Sequence, residues 1–245
     1  MNSNFKLKIS NFFLELFFPS FCFGCEREGA YLCPDCKETL EISEYSYCLC
    51  NKNPLRLPPE NKTGKCVRCE DKKLSGLYSS LAYKEKFLTR KLIHKFKYAG
   101  VKTLAKNLAE IMAEHLIISG KNTDDIWENG VLVPVPMECR KLKERGYNQA
   151  EKMAKELAKI VKIPVVSDVL LKISKTKAQM KLSARKREEN LKGAFAVKKP
   201  AGIAGKKIFL VDDVYTTGST MEECAKTLRE AGAKSVWGVV IAREG

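Results

Sequence analysis

Two groups of residues in this 245-residue chain have the types and spacing to do chemistry, and they lie at opposite ends of it. Near the N-terminus stand four cysteine pairs: Cys22-x2-Cys25, Cys33-x2-Cys36, Cys48-x-Cys50 and Cys66-x2-Cys69. A two-residue spacer lets both sulfurs of a knuckle face one ion, and two knuckles complete a tetrahedral four-thiolate zinc site. Structural zinc is the expectation at both sets of four. A disulfide framework would need an oxidising compartment that nothing else in the chain suggests. An iron–sulfur cluster is the third chemistry open to four thiolates. The single residue between Cys48 and Cys50 departs from knuckle spacing. The second site is therefore expected either to ligate with altered geometry or to use only one of that pair. Closed four-thiolate sites leave no open coordination position, so such zinc is scaffold rather than catalyst.

The other group is Ile208-Phe209-Leu210-Val211-Asp212-Asp213-Val214-Tyr215-Thr216-Thr217-Gly218-Ser219-Thr220. The apolar run reads as a strand buried on both faces. It delivers Asp212 and Asp213 to its C-terminal edge, where open α/β sheets place ligands. Thr216, Thr217, Gly218, Ser219 and Thr220 then read as a tight turn opening a helix, whose backbone N–H groups and hydroxyls suit a phosphate. Adjacent acids accept hydrogen bonds from vicinal hydroxyls, so the whole fits a ribose 5-phosphate. Competing phosphate motifs fail. No GxGxxG follows a strand, and Gly202-Ile203-Ala204-Gly205-Lys206-Lys207 lacks the Walker spacing and its Ser/Thr. The plain alternative is a strand, turn and capped helix without function. It leaves two acids at a buried strand's end with no structural use.

The elements that must position these groups follow from the pattern of apolar residues. The chain is 44% hydrophobic and 30% charged, which excludes collagen-like, disordered and multi-span membrane classes. Residues 1–20 read as an amphipathic leading helix. Its apolar stretch, 11–18, is broken by Glu15 and falls short of the ~20 residues a bilayer needs. No small-residue cleavage site follows it. Residues 21–73 form the cysteine-rich module, too poor in apolar periodicity to build a core without staples. From residue 74 to 245 an α/β pattern takes over. Strands are expected at 80–84, 131–135, 165–173, 194–197, 207–211 and 236–241, with helices at 87–98, 104–116, 148–161 and 222–231. Strands alternating with helices imply a mostly parallel sheet covered on both faces.

Lys+Arg exceed Asp+Glu by 15, which favours anionic partners. Eight thiolates and two zinc ions would bring the holo charge to about +11. The 87–98 helix carries Arg90, Lys91, His94, Lys95 and Lys97. It reads as a plain basic face or as a nucleic-acid surface on which Arg90, Lys91 and Lys95 are the DNA candidates. The histidines, His94 and His115, are expected on helix surfaces, and the chain has no HExxH. Cys139 and Cys224 stand alone and are expected to be packed or partly packed.

The 212–220 pattern resembles the PRPP-binding signature of type I phosphoribosyltransferases. A wider set narrows the likeness: a leading Leu-Phe-Phe-Pro element, the four cysteine pairs, Lys97-Tyr98-Ala99-Gly100, Val133-Pro134-Val135-Pro136, Arg145-Gly146-Tyr147-Asn148-Gln149-Ala150, and Gln179, Arg187 and Asn190. In that order these are similar to the ComF competence family, over nearly the whole chain. The resemblance implies a double zinc ribbon ahead of a type I phosphoribosyltransferase-like domain. It implies that Asp212 and Asp213 hold the ribose of PRPP, that 216–220 holds the 5-phosphate, and that Mg²⁺ accompanies the pyrophosphate. It makes Arg140 and Arg145, beyond the 131–135 strand, and Lys97 candidates for pyrophosphate contact. It likens residues 175–190 to the mobile loop that closes over PRPP in such enzymes; by composition alone that stretch is a solvated charge run. The implied role is in DNA uptake and natural transformation, handling single-stranded DNA in the cytoplasm near the inner membrane, with a competence helicase or other transformation proteins as partners. A phosphoribosyltransferase of nucleotide metabolism and a non-catalytic zinc-ribbon adaptor are the competing readings. No acceptor can be read from these residues.

Overall fold

A computed structural model describes residues 19–58, 60–61, 63–83, 87–121, 124–173 and 191–244. The expected leading helix up to residue 18 and the whole 175–190 segment, including Gln179, Arg187 and Asn190, lie outside the described residues. The chain divides into two compact units, 1–41 and 42–245.

In the smaller unit the one helix among the described residues is α1 (Pro34–Glu38). Pro34 sits in its first turn, where a missing N–H costs nothing. The Cys33 thiol accepts from the Cys36 N–H and so acts as the cap.

The larger unit is built on a parallel sheet of β1 (Gly76–Ala82), β2 (Gly130–Pro134), β5 (Lys207–Tyr215) and β6 (Ser235–Arg243), in the order β1-β6-β5-β2. Every residue of β2 is buried, as a strand covered on both faces requires. Val165 adds a parallel bridge to Leu132, and β3 (Leu170–Lys172) pairs with β4 (Phe195–Val197) as a separate antiparallel ribbon. The single strand expected over 165–173 is thus two pieces.

Helices α2 (Leu88–Tyr98), α3 (Leu104–Ile118), α4 (Asp124–Trp127), α5 (Cys139–Arg145), α6 (Gln149–Val161) and α7 (Ser219–Glu230) connect the strands. The short α4 and α5 have no counterpart in the sequence reading. α3 and α6 pack on each other and on the sheet. On its other face the core residues of α7 (Met221, Cys224, Ala225, Leu228) meet Ile208, Leu210, Val236 and Val240. Asn148 caps α6 by accepting from the Ala150 N–H.

Two expectations are corrected. His115 is buried rather than on a helix surface; its Nδ1 lies 2.6 Å from the Ser43 carbonyl oxygen. The segment at Ser43 lies against the His115 side of α3, so this position does not face solvent. Cys139 is exposed, at the start of α5, whereas Cys224 is fully buried.

Candidate phosphate site and metal centres

β5 does not end at Val211. It runs through both acids to Tyr215, paired with β6 as far as Tyr215 opposite Arg243. Successive side chains of a strand leave on opposite faces. Asp213 therefore follows Phe209 and Val211 toward α2, where its Oδ1 is 2.7 Å from Lys97 Nζ. Asp212 lies toward the α7 side and accepts the Asp213 N–H at 2.8 Å. Burial, and then the charge of Asp213, push the Asp212 carboxyl up to about 7, against the pull of Lys97 and Arg145. Burial draws the Lys97 ammonium down, but Asp213 and Asp212 more than offset it, so its net displacement is upward.

Gly218 caps α7 at φ 76°, the left-handed region that glycine enters without penalty. A β-carbon there would run into the Tyr215 hydroxyl. The Thr217 and Ser219 hydroxyls are 2.9 Å apart, and Thr216, Thr217, Ser219 and Thr220 are all half-buried. The first N–H groups of a helix lack intrahelical acceptors, so this turn presents donors beside two carboxylates.

The segment 145–149 holds Lys97 in place. Tyr147 donates its hydroxyl to the Phe96 carbonyl, and Gln149 Nε2 donates to the Lys97 carbonyl at 3.5 Å. Asn148 Nδ2 donates to the Val135 carbonyl at 3.0 Å, tying the end of β2 to the same corner. Arg145 stacks 4.7 Å over the Tyr98 ring and donates to Gln149 Oε1. The structure thus brings Lys97 and Arg145 toward the two acids. It does not do so for Arg140, which is exposed on α5 and pairs with Glu144. Arg90 and Lys91 are exposed and Lys95 is half-buried on α2. The supporting roles of Tyr147 and Gln149 were missed, because each acts on a carbonyl some fifty residues away in sequence.

The sulfurs of Cys22, Cys25, Cys33 and Cys36 lie within 4.8 Å of one another, as do those of Cys48, Cys50, Cys66 and Cys69. Neighbouring sulfurs approach to 3.6 Å in the first set and 3.7 Å in the second. Zinc at its usual bond length sets tetrahedral sulfurs about 3.8 Å apart, so both sets fit it. Burial and neighbouring thiols push Cys36 and Cys50 up to about 12. The irregular pair has a simple account. Just past the Tyr47–Arg56 bridge the chain bends at Leu49 instead of making the usual knuckle. Cys48 and Cys50 then face one point while Leu49 turns into the core, fully buried.

The phosphoribosyl transferase domain family matches residues 100–245. The chain is 35% identical to "Competence protein F" of Haemophilus influenzae over 153 residues, 60% of this chain and 66% of that protein, just under two thirds of its length. It is 29% identical to "DNA utilization protein YhgH" of Salmonella typhimurium over 217 residues, 84% and 93% of the two chains. It is 27% identical to "Competence protein ComFC" of Streptococcus pneumoniae over 215 residues, 86% of each.

Proposed function

The chain belongs to the phosphoribosyl transferase domain family and, within it, to the ComF competence family, and on that premise we propose that it binds PRPP at the end of β5 and handles single-stranded DNA. One observation carries the first half of this reading: a buried parallel strand sets two carboxylates beside a glycine-capped helix turn. In this reading Asp212 and Asp213 accept the ribose hydroxyls, and the turn from Thr216 to Thr220 donates to the 5-phosphate. Lys97 leaves Asp213 for the pyrophosphate, with Arg145 beside it. Magnesium would supply positive charge to the pyrophosphate, and oxygen donors of the kind Asp212 and Asp213 offer suit that hard cation. Gln179, Arg187 and Asn190 are proposed to close over the bound molecule.

The DNA half rests on the net charge of +15, on Arg90, Lys91 and Lys95 along α2, and on the names of the relatives. No helix among the described residues is long and apolar enough to cross a membrane. A cytoplasmic place near the inner membrane, alongside a helicase or other transformation proteins, belongs to the same proposal.

Calorimetry with Mg-PRPP tests the site. Replacing Asp212 and Asp213 together with Ala removes two sets of acceptors, each worth on the order of 1 kcal/mol, so affinity should fall roughly tenfold to a hundredfold. Wild-type affinity in the double variant would overturn the assignment. Acceptor-dependent release of pyrophosphate from a panel of bases, nucleosides and single strands would show whether transfer follows binding.

A further inference from the structure

Arg243, the last residue of β6, is a buried cation, 5% exposed. Among the described residues no carboxylate forms an ion pair with it. It donates instead to backbone: Nη1 to the Cys48 carbonyl at 2.8 Å and Nη2 to the Cys50 carbonyl. Its Nε has no hydrogen-bond partner among the described residues. Buried charges need compensation. Four thiolates around one zinc carry a net charge of −2, and among the described residues that centre is the anionic group set beside the guanidinium. Lys72 repeats the arrangement from the other side: its Nζ donates to the Leu49 carbonyl at 2.9 Å and meets the Tyr215 hydroxyl at 3.3 Å.

Tyr215 then links the centre to the phosphate turn. Its hydroxyl donates to the Leu49 carbonyl at 3.2 Å, its ring lies 5.4 Å under the Arg243 guanidinium, and the Gly218 backbone packs on its hydroxyl end. Burial holds the phenol protonated, above its usual range. The Cys48-Leu49-Cys50 segment is therefore joined through Tyr215 to the residue that caps α7.

We propose that metal at Cys48, Cys50, Cys66 and Cys69 sets the geometry of the 216–219 turn through Arg243, Lys72 and Tyr215, so that this centre and the phosphate subsite are energetically linked. Tyr215 is a positioning residue and Arg243 the counter-ion of the centre. The proposal rests on the reading of 216–220 as a phosphate site, and it deepens that reading. Linkage is reciprocal: a phosphate ligand that favours the ordered turn must also slow metal loss from this centre.

The test uses the full-length zinc-loaded protein, with ribose 5-phosphate as probe and two independent readouts. Tyr215→Phe keeps the ring and both metals but removes the two hydrogen bonds of the hydroxyl, to the Leu49 carbonyl and from Lys72 Nζ. Amide exchange at 216–219 should rise about fivefold and ribose 5-phosphate affinity fall by a similar factor, with zinc content unchanged at two. Unchanged exchange and affinity would overturn the proposal. Cys66→Ser should loosen the same amides, and Cys25→Ser, which empties the other centre, should not; equal effects from the two would also overturn it. Should Cys66→Ser lose its circular-dichroism signal, the Tyr215→Phe result decides. Should the wild type fail to bind ribose 5-phosphate, the site reading fails, while amide exchange still reports whether the turn follows the metal.

Discussion

At the first cysteine centre the sulfurs are held by their own neighbourhood. Cys22 accepts from the Gly24 and Cys33 N–H groups, Cys33 from Cys36, and Cys25 is exposed. Among the described residues of that unit the buried apolar ones, besides three of the ligands, are Leu32 and Leu40, and Phe23 stacks on Tyr31. At the second centre Cys48, Leu49, Leu57 and Cys69 are part of the core that holds the sheet and α7. The donor sets are alike, but among the described residues the first has little buried apolar surface around it, while the second is built into the core of the larger unit. Ligand spacing reports what a centre can bind. What the centre supports is decided by the residues packed around it.

The sharpest way to break this contrast is to remove one ligand from each centre. Structural zinc contributes about 10–16 kcal/mol in isolated fingers, more than a unit with two buried leucines can replace. Cys22→Ser should therefore abolish amide protection across 22–36 and reduce zinc from two to one per chain, while the melting of the larger unit stays near wild type. Elemental analysis and amide exchange read both. An intact first unit after chelation would refute that expectation.

The next effect in size concerns the turn that the second centre supports. Gly218→Ala adds a β-carbon where the Tyr215 hydroxyl already sits, in a residue at φ 76°. The strain and the clash together should cost roughly 2–4 kcal/mol. Denaturant unfolding should show the loss, and PRPP affinity should fall with it. A variant as stable as wild type would mean that the turn yields easily, and the proposed coupling would have no rigid path.

How much of this was legible in the chain depends on distance along it. Cysteine spacing pointed to both sulfur sets, and the apolar run at 207–211 pointed to the strand that carries the acids, because both signals are local. The extension of β5 to Tyr215 was not legible: Asp-Asp reads as the end of a strand, and only pairing with β6 overrides that propensity. The Lys97–Asp213 pair joins residues more than a hundred apart, and Arg243 reaches Cys48 across nearly the whole domain. No period or composition encodes such contacts. His115 was misplaced for a related reason. Its helix looked one-sided, and the ribbon segment that covers the polar side arrives from Ser43.

That histidine gives a smaller test within the larger unit. Burial draws the His115 pKa below its ordinary 6.5, only partly opposed by the Ser43 carbonyl. The folded state thus prefers the neutral ring, whose Nδ1–H donates to the Ser43 carbonyl while Nε2 is buried with no partner among the described residues. Its stabilisation is complete above about pH 6.5 and is lost as pH falls through the folded value. His115→Gln keeps a donor but cannot titrate, so the urea midpoint of the larger unit should depend less on pH between 7.5 and 5 than in wild type. Identical pH dependence in the two proteins would remove His115 as the cause.

The smallest effect on the fold belongs to the DNA proposal, and it asks which unit attracts a phosphate chain. Residues 1–41 hold four Lys and Arg against six Asp and Glu, so the +15 of the whole chain comes from residues 42–245, whose excess is +17. A metal-loaded first centre makes its own unit more negative still, because four thiolates outweigh one zinc by two charges. Single-strand binding should therefore survive Cys22→Ser with its salt dependence intact. Each phosphate contacted on a single strand contributes a slope of about 0.7 in log affinity against log salt. Replacing Arg90, Lys91 and Lys95 together should flatten that slope by about two units and weaken all sequences alike, since phosphate contacts carry no base information. Ribose 5-phosphate binding should be unaffected, because the group on α2 that reaches the acids is Lys97. Anisotropy titrations across salt separate the outcomes. A slope that drops with Cys22→Ser would move the DNA surface to the first unit, and a slope unchanged by the triple replacement would take it off α2.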